Sequence, residues 1–164
     1  MHDALIAFTE SLPVWLQWAG VMLISAIPFV ESYLGTLIGI VAGVPTPLAV
    51  AAAVVGNVIS MLAFVFLGAG ARKKALERRA KGGDSTLEPE LSPRQQRFKR
   101  MFDRFGVPGV SLLGQWVLPS QLSSGLMVSF GASRNAVIVW QIISIILWGI
   151  LFAVIGNLGL IALR

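Results

Sequence analysis

The long uncharged segments of this chain decide what it can fold into. Between Leu12 and Ala71 the only charged residue is Glu31, and segments 105–133 and 135–163 carry no charge. A helix needs about 20 apolar residues to cross the roughly 30 Å hydrocarbon core of a bilayer. The whole chain is 55% hydrophobic and 13% charged, whereas soluble domains carry about 25% charged residues. These features predict an all-α integral membrane protein.

The basic residues are concentrated in one segment. Of the 13 Lys and Arg residues, 11 lie between Arg72 and Arg104. Because Lys- and Arg-rich segments that flank membrane spans stay on the cytoplasmic side, residues 71–105 are predicted to face the cytoplasm in a multi-pass protein of a bacterial-type inner membrane. The formal charge of +5 also raises nucleic acid as a partner. Attraction to anionic membrane lipids explains a basic loop better, so no nucleic-acid partner is predicted.

The residues that common enzyme and cofactor sites require are missing from the sequence. It contains no cysteine and a single histidine, His2, which removes thiolate nucleophiles, zinc–thiolate sites and histidine-based triads. No glycine-rich phosphate loop precedes a lysine, and no GxSxG sequence is present. The sequence therefore predicts neither an enzyme nor a metal site nor a cofactor.

An offset of 88 residues aligns two halves of the chain. The aligned pairs are Ser32 with Ser120, Thr36 with Ser124, Gly43 with Gly131, Phe64 with Phe152 and Gly68 with Gly156. Within a single membrane domain, we predict repeat 1 at 4–70, a basic cytoplasmic linker at 71–91 and repeat 2 at 92–160. Each repeat is predicted to contain a short interfacial helix, an interrupted apolar stretch, a glycine turn and a long transmembrane helix, at about 47–70 and 135–160.

The two interrupted stretches, 18–43 and 106–131, each contain a proline near the middle, at Pro28 and Pro119. A break there leaves pieces of about ten residues, roughly 15 Å long at about 1.5 Å per residue. Neither piece can cross a bilayer alone, so each stretch is predicted to be a re-entrant helical hairpin. Alternatively, the prolines only kink ordinary spanning helices.

The orientation of the long helices makes the halves inverted repeats. The first long helix must end at the cytoplasmic loop, and the second starts on that side and runs outward. Transporters built in this way place the substrate site at the midplane, between broken helices. The breaks at Pro28–Ser32 and Pro119–Gln121 are therefore predicted to meet there, because lipid cannot satisfy their backbone groups. Glu31 is predicted to lie close to Gln115, Gln121 or Asn57.

Residues 92–105 are predicted to form an interfacial amphipathic helix, with Ser92 as its cap and Pro93 at the first helical position. Its apolar residues recur at helical spacing: Phe98, Met101, Phe102 and Phe105. The arginines predicted to contact lipid headgroups are Arg97, Arg100, Arg104 and Arg134. Arg134 is either a cytoplasmic anchor or a phosphate-binding residue. Residues 81–89 are predicted to be a flexible part of the linker.

Glu31 is the most informative single residue, because an ionisable group inside an apolar segment is costly enough to indicate a function. Burial favours its neutral form, which suits a proton-coupled carrier. The alternative role is a cap for the amides of the following helix. Near the second break the polar groups are neutral, and they either serve exposed backbone groups or hold a substrate. The predicted substrate or proton-binding residues are Glu31, Ser32, Asn57, Gln115, Trp116, Ser120 and Gln121.

Several short segments resemble a known family. The segment Ala26–Glu31, the glycine-rich stretch after it and the pair Gly56-Asn57 are similar to the bacterial small multidrug export family, which is related to the DedA superfamily. The second half resembles DedA proteins at Arg104-Phe105-Gly106, Pro119, Gly125, Phe130 and Trp148-Gly149. This resemblance implies two inverted re-entrant hairpins and proton-linked or lipid-carrier transport. An arginine commonly flanks the second proline in DedA proteins, whereas here Gln115, Ser120, Gln121 and Leu122 surround it.

The sequence therefore predicts a small secondary transporter or exporter of a small amphipathic or charged molecule, and Glu31 suits coupling to protons. A homodimer is expected, because two spans and two hairpins barely enclose a water-filled site. Membrane lipids and the small-molecule substrate are the other predicted partners. The alternatives are a lipid carrier of the DedA type and a membrane-organising protein that binds lipids without transporting a solute.

Overall fold

A computed structural model describes residues 2–80, 92–114 and 117–162. They form α1 (His2–Ser11), α2 (Gln17–Ser25), α3 (Glu31–Val41), α4 (Thr46–Ala80), α5 (Pro93–Leu113), α6 (Ser120–Ser129) and α7 (Arg134–Ala162), and a 3-10 turn at Val14–Leu16 precedes α2. The described residues include no strand, which confirms the prediction of a helical protein. The predicted flexible part of the linker, 81–89, lies outside the described residues, as do Gln115 and Trp116.

The ends of the helices recur at an offset of 88 residues. Helix α5 ends at Leu113, helix α6 ends at Ser129 and helix α7 begins at Arg134. These three positions lie 88 residues after the end of α2, the end of α3 and the start of α4, in that order. The 88-residue offset, found from a few matching residues, therefore also relates these helix boundaries. The start of α6 lies within about one residue of the position that the offset predicts from the start of α3.

Two glycine turns end α3 and α6 in the same way. Gly43 and Gly131 both have positive φ, at 86° and 110°, a conformation that favours glycine because it has no Cβ. After α3, the amides of Gly43 and Val44 donate to the carbonyls of Ile40 and Gly39 at 3.1 and 2.9 Å. After α6, Gly131 and Ala132 donate to Val128 and Met127, both at 3.0 Å. This is the Schellman motif, which satisfies the last carbonyls of a helix and turns the chain sharply.

Helix α4 runs further than the sequence predicted. Helix α4 does not end near Gly70 but continues to Ala80, so the first ten residues of the predicted linker are helical. The segment is rich in helix-forming Ala, Arg, Lys and Leu, and Lys73 Nζ lies 3.9 Å from Glu77 Oε1 one turn later. The charged residues of 71–80 therefore end the apolar part of α4, while the helix itself continues.

Helix α5 joins the predicted amphipathic helix to the first arm of the second interrupted stretch. The junction is Gly106, whose φ of 62° and ψ of −168° are not helical. At the N-terminus, the Ser92 hydroxyl accepts from the amide of Gln95, and the Gln95 side chain accepts from the amide of Ser92. This capping box satisfies two otherwise unpaired donors. The predicted roles of Ser92 and Pro93 are confirmed.

The chain divides into two compact units. Unit 1 comprises Met1–Ser60 and Ile142–Arg164, and unit 2 comprises Met61–Gln141. Helices α4 and α7 each contribute one segment to each unit. Unit 1 contains the first helix pair, α2 and α3, and unit 2 contains the second helix pair, α5 and α6.

Unit 1 has a core of small and branched side chains. Its members are Val21, Ile40, Val44, Ala49, Ala52, Ala53 and Ala153. Helix α4 approaches α2 so closely that a Cβ on Gly56 would overlap the carbonyl oxygen of Met22. The two helices of the pair are equally close, because a Cβ on Gly35 would overlap the hydroxyl of Ser25. Small residues therefore set the spacing of the helices in this unit.

Unit 2 is built around aromatic rings and a second glycine contact. Phe98 is fully buried, and its ring centroid lies 6.4 Å from that of Phe130, which also lies 6.2 Å from the ring of Phe102. The apolar face predicted to lie in the lipid interface thus packs largely on the protein itself. A Cβ on Gly68 of α4 would overlap the carbonyl oxygen of Gly125 in α6.

Two helices are long and apolar enough to cross a membrane. They are α4 over Thr46–Lys74 and α7 over Arg134–Ala162, each 29 residues long. Many of their large apolar side chains are exposed, including Phe66 and Leu67 in α4 and Leu151 and Ile161 in α7. The shorter apolar helices are Val14–Ser25 and Glu31–Val41, which are below the length needed for a span.

Candidate functional site

The first candidate site is the break between α2 and α3. Helix α2 ends at Ser25 and α3 begins at Glu31, so residues 12–33 do not form one continuous helix. Pro28 lies in the break, as predicted. Glu31 is the first residue of α3 and is 1% exposed, while Val30 is the N-cap residue. A carboxyl group is therefore buried at the point where the helix resumes.

The backbone of this break has an uncommon conformation. Among the described residues other than glycine, only Phe29 and Glu31 have positive φ, at 74° and 55°. Side chains with a Cβ rarely adopt this region, and each such residue costs on the order of 1–3 kcal/mol. Strained residues of this kind concentrate at functional sites. The surroundings thus hold Glu31 in place against its local preference.

Hydrogen bonds to both long helices support the first helix pair within unit 1. The hydroxyl of Ser60, in α4, donates to the carbonyl oxygen of Ala26 in the break at 2.8 Å. The hydroxyl of Ser32, in α3, donates to the carbonyl oxygen of Ile145 in α7, also at 2.8 Å. Each bond joins elements that are distant in sequence. The residue next to Glu31 is therefore anchored directly to α7.

Unit 1 contains further buried polar side chains near these elements. Asn57 in α4 is fully buried, as expected for an amide of the predicted site, and so are Thr36 in α3 and Ser144 in α7. The hydroxyl oxygen of Thr36 has no hydrogen-bond partner among the protein atoms that the structure describes. Buried polar groups are normally satisfied. An unsatisfied hydroxyl here could bind a solute or a water molecule.

The second candidate site is the start of α6 in unit 2. Pro119 is the N-cap residue, with extended backbone at φ −55° and ψ 151°, and Ser120 and Gln121 are the first two helical residues. Both are fully buried. The hydroxyls of Ser123 and Ser124 donate back to the carbonyls of Ser120 and Gln121 at 3.1 and 2.9 Å. This break presents neutral amide and hydroxyl groups.

Gln141 in α7 completes the polar lining of the second site. Its Nε2 donates to the hydroxyl of Ser123 at 3.0 Å, and the residue is fully buried. Its Oε1 has no hydrogen-bond partner in the part of the chain that the structure describes. A buried amide oxygen of this kind can accept a hydrogen bond from a hydroxyl, amine or water molecule.

Sequence reasoning missed Gln141, Ser144 and Thr36. Gln141 and Ser144 lie in the apolar segment 135–163, where the lack of charged residues is the dominant sequence signal. The same argument that identified Asn57, an amide inside an apolar helix, would have identified Gln141. Thr36 aligns with Ser124 at the 88-residue offset, which was a usable signal. The predicted approach of Glu31 to Gln121 stays a prediction.

The arginines predicted to contact lipid headgroups are all on the surface. Arg97, Arg100 and Arg104 lie on α5, and Arg134 is the first residue of α7; all four are exposed. The guanidinium carbon of Arg104 lies 5.2 Å from the centre of the Phe105 ring, within the range of a cation–π interaction. Their positions are compatible with lipid contact.

Comparisons with models of known protein families, with curated proteins and with solved structures found no match. The chemistry available therefore has to be judged from the residues themselves. Unit 1 contains the buried carboxyl group of Glu31, which can bind and release a proton, and it also contains buried hydroxyl and amide groups. Unit 2 offers neutral donors and acceptors that can hold a polar part of a solute.

Proposed function

We propose that this chain is a multi-pass membrane protein that moves a small amphipathic or charged solute, with Glu31 as its proton-binding group. The membrane location is supported by α4 and α7. In their most apolar 18-residue windows only 33% and 28% of residues are buried, whereas the core helix of a soluble protein is mostly buried. Exposed apolar surface marks contact with a membrane or with another protein, and helices of this length fit a membrane span.

The observation that carries the transport proposal is the position of Glu31. It is a buried carboxyl group at a helix break, on strained backbone, in a helix pair too short to span a bilayer. Broken helices that expose polar groups at membrane depth are the usual binding sites of secondary transporters. A break with a structural role alone would not require an ionisable residue whose backbone conformation costs free energy. Re-entrant insertion of both helix pairs as inverted repeats is part of the same proposal.

Transport can be tested in proteoliposomes loaded with a pH-sensitive dye, using a panel of lipophilic cations and small zwitterions as solutes. The native protein is expected to couple flux of at least one solute to a proton gradient. Glu31→Gln should lower gradient-driven flux by roughly tenfold or more, because the amide cannot exchange a proton. Glu31→Asp retains a carboxyl group and should retain part of the coupling.

The folded state of each variant is checked by size-exclusion chromatography in detergent, since glutamine has nearly the same volume as glutamate. A folded Glu31→Gln protein that still transports with the same pH dependence as the native protein would contradict the assignment. The same experiment tests the transport function implied by the resemblance to small multidrug export proteins, which rests in part on the segment that contains Glu31. A homodimer in a bacterial-type inner membrane belongs to this proposal.

A lipid-binding protein without transport is the second candidate function. It is favoured by the exposed arginines of α5, because basic residues at the membrane surface attract anionic lipids, at about 1 kcal/mol each. In that case no solute of the panel would be transported, and Glu31→Gln would change neither flux nor lipid binding.

A further inference from the structure

Unit 2 contains a cavity of about 700 Å³ between the C-terminal part of α4 and the turn from α6 to α7. It lies where the apolar residues of α4 give way to charged ones. Phe66, Leu76 and Val128 form part of its apolar wall. Arg72, Lys73 and Arg134 bring three cationic side chains to the same cavity.

The charge of the cavity is strongly unbalanced. Among the described residues that line it, the single carboxylate is that of Glu77, whose Oε1 lies 3.9 Å from Lys73 Nζ. That pair is internally compensated, which leaves the guanidinium groups of Arg72 and Arg134 as the excess positive charge. Like charges converging on one cavity repel one another. An anion bound between them would remove this repulsion.

The turn between α6 and α7 brings Arg72 close to backbone groups. One of its terminal nitrogens lies 3.3 Å from the position that a Cβ on Gly131 would occupy. Gly131 has φ of 110°, so glycine is favoured there and no side chain separates the guanidinium from the turn. The amides that open α7 follow directly after Ser133, and helix N-termini add partial positive charge.

We propose that this cavity binds the phosphate group of an anionic amphiphile, as a bound lipid and not as the transported solute. Arg72 and Arg134 bind the phosphate, because guanidinium groups match the geometry of its oxygens. The apolar wall at Phe66 and Leu76 contacts the start of an acyl chain. The proposal rests on the membrane location proposed above, but it does not depend on transport or on Glu31.

The test uses the purified full chain in non-ionic detergent and native mass spectrometry. Phosphatidylglycerol is titrated as the anionic lipid and phosphatidylcholine as a lipid without net charge. The test variant is Arg72→Gln/Arg134→Gln. The control is Lys74→Gln/Lys99→Gln, which removes two charges from exposed side chains that do not line the cavity. All four positions are exposed, so both proteins are expected to fold.

The native chain should retain one phosphatidylglycerol in preference to phosphatidylcholine. The test variant should lose roughly tenfold or more in apparent affinity, and the control should keep the native value. Equal binding by native and test proteins, or an equal loss in the control, would overturn the proposal. Transport is measured on the same variants, so a failed lipid site and a failed transport assignment can be told apart.

Millimolar inorganic phosphate distinguishes two sources of the bound group. If it displaces the lipid from the native chain and has no effect on the test variant, the phosphate group alone is sufficient for binding. If the lipid stays bound at that concentration, the acyl chain contributes to binding as well. In both cases, the result that supports a phosphate site in this cavity is the loss of lipid binding in the test variant and not in the control.

Discussion

The two helix pairs share a pattern of helix ends but differ in the residues at their breaks. In unit 1 the break leads into Glu31, and two residues with side chains have positive φ. In unit 2 the break leads through extended Pro119 into the neutral Ser120 and Gln121. The glycine turns after the two pairs are alike in conformation and hydrogen bonding. The framework is thus set by turns and helix caps, and the two helix pairs differ in the chemistry of their breaks.

The largest effects in this comparison of the two units are expected at two glycines of α4, Gly56 and Gly68, which lie against neighbouring helices. In unit 1 a Cβ on Gly56 would overlap a backbone carbonyl, and in unit 2 a Cβ on Gly68 would do the same. A carbonyl cannot rotate away from a new side chain, so Gly56→Ala and Gly68→Ala should each lower the free energy of unfolding by about 1–3 kcal/mol. The measurement is the folded fraction that survives heating in detergent.

Gly70→Ala and Gly159→Ala are the matched controls, one in each unit. Both glycines are helical, and a Cβ at either position would meet no atom within 4 Å. Because alanine favours a helix more than glycine does, these variants should be unchanged or more stable by up to about 1 kcal/mol. A similar loss in all four proteins would show that the close contacts do not stabilise the units.

The second prediction sharpens the difference between the two breaks. Phe29 has positive φ and is 58% exposed, so Phe29→Gly should relieve strain and raise the free energy of unfolding by about 1 kcal/mol. Val117 occupies the aligned position of the second break, is 38% exposed and is absent from the residues with positive φ. Val117→Gly should therefore lower stability by about 0.5–1 kcal/mol. Effects of the same sign would remove the distinction between the breaks.

The smallest expected effect concerns Gln141 in unit 2. Gln141→Leu removes one hydrogen bond to Ser123 and one unsatisfied buried oxygen, and these changes oppose each other. Stability should therefore change by less than about 1 kcal/mol. Gln141→Ala, which also leaves a void, should lose about 2 kcal/mol or more. Thermal unfolding of both variants separates the two cases, and an equally large loss in both would mean that the amide is fully satisfied in the native protein.

Much of the helix pattern was predictable because it depends on strong local signals. Pro28 and Pro119 marked the breaks, Gly43 and Gly131 marked the turns, and Ser92 marked the start of α5. Proline and glycine act through their own backbone, so their effect does not depend on distant contacts. The full length of α4 was not predictable from the apolar pattern, because the helix continues to Ala80 after the residues change from apolar to charged.

The candidate site was predictable only in part. Burial of Glu31, Asn57 and Gln121 followed from their apolar surroundings. The positive φ of Glu31 could not be predicted, because glutamate has no preference for that region. The partner of Gln141, the hydroxyl of Ser123, lies 18 residues earlier in the chain, and such a pair is fixed by tertiary packing alone.

The division of the chain has a consequence for the order in which the protein can assemble during synthesis. Unit 2 is one continuous segment, Met61–Gln141, so all of its residues are synthesised before the last part of α7. Unit 1 needs Ile142–Arg164 as well as the N-terminal residues. Until Ile145 is synthesised, the hydroxyl of Ser32 lacks its carbonyl acceptor. The first helix pair, which contains Glu31, is therefore not fully anchored until this part of α7 has been synthesised.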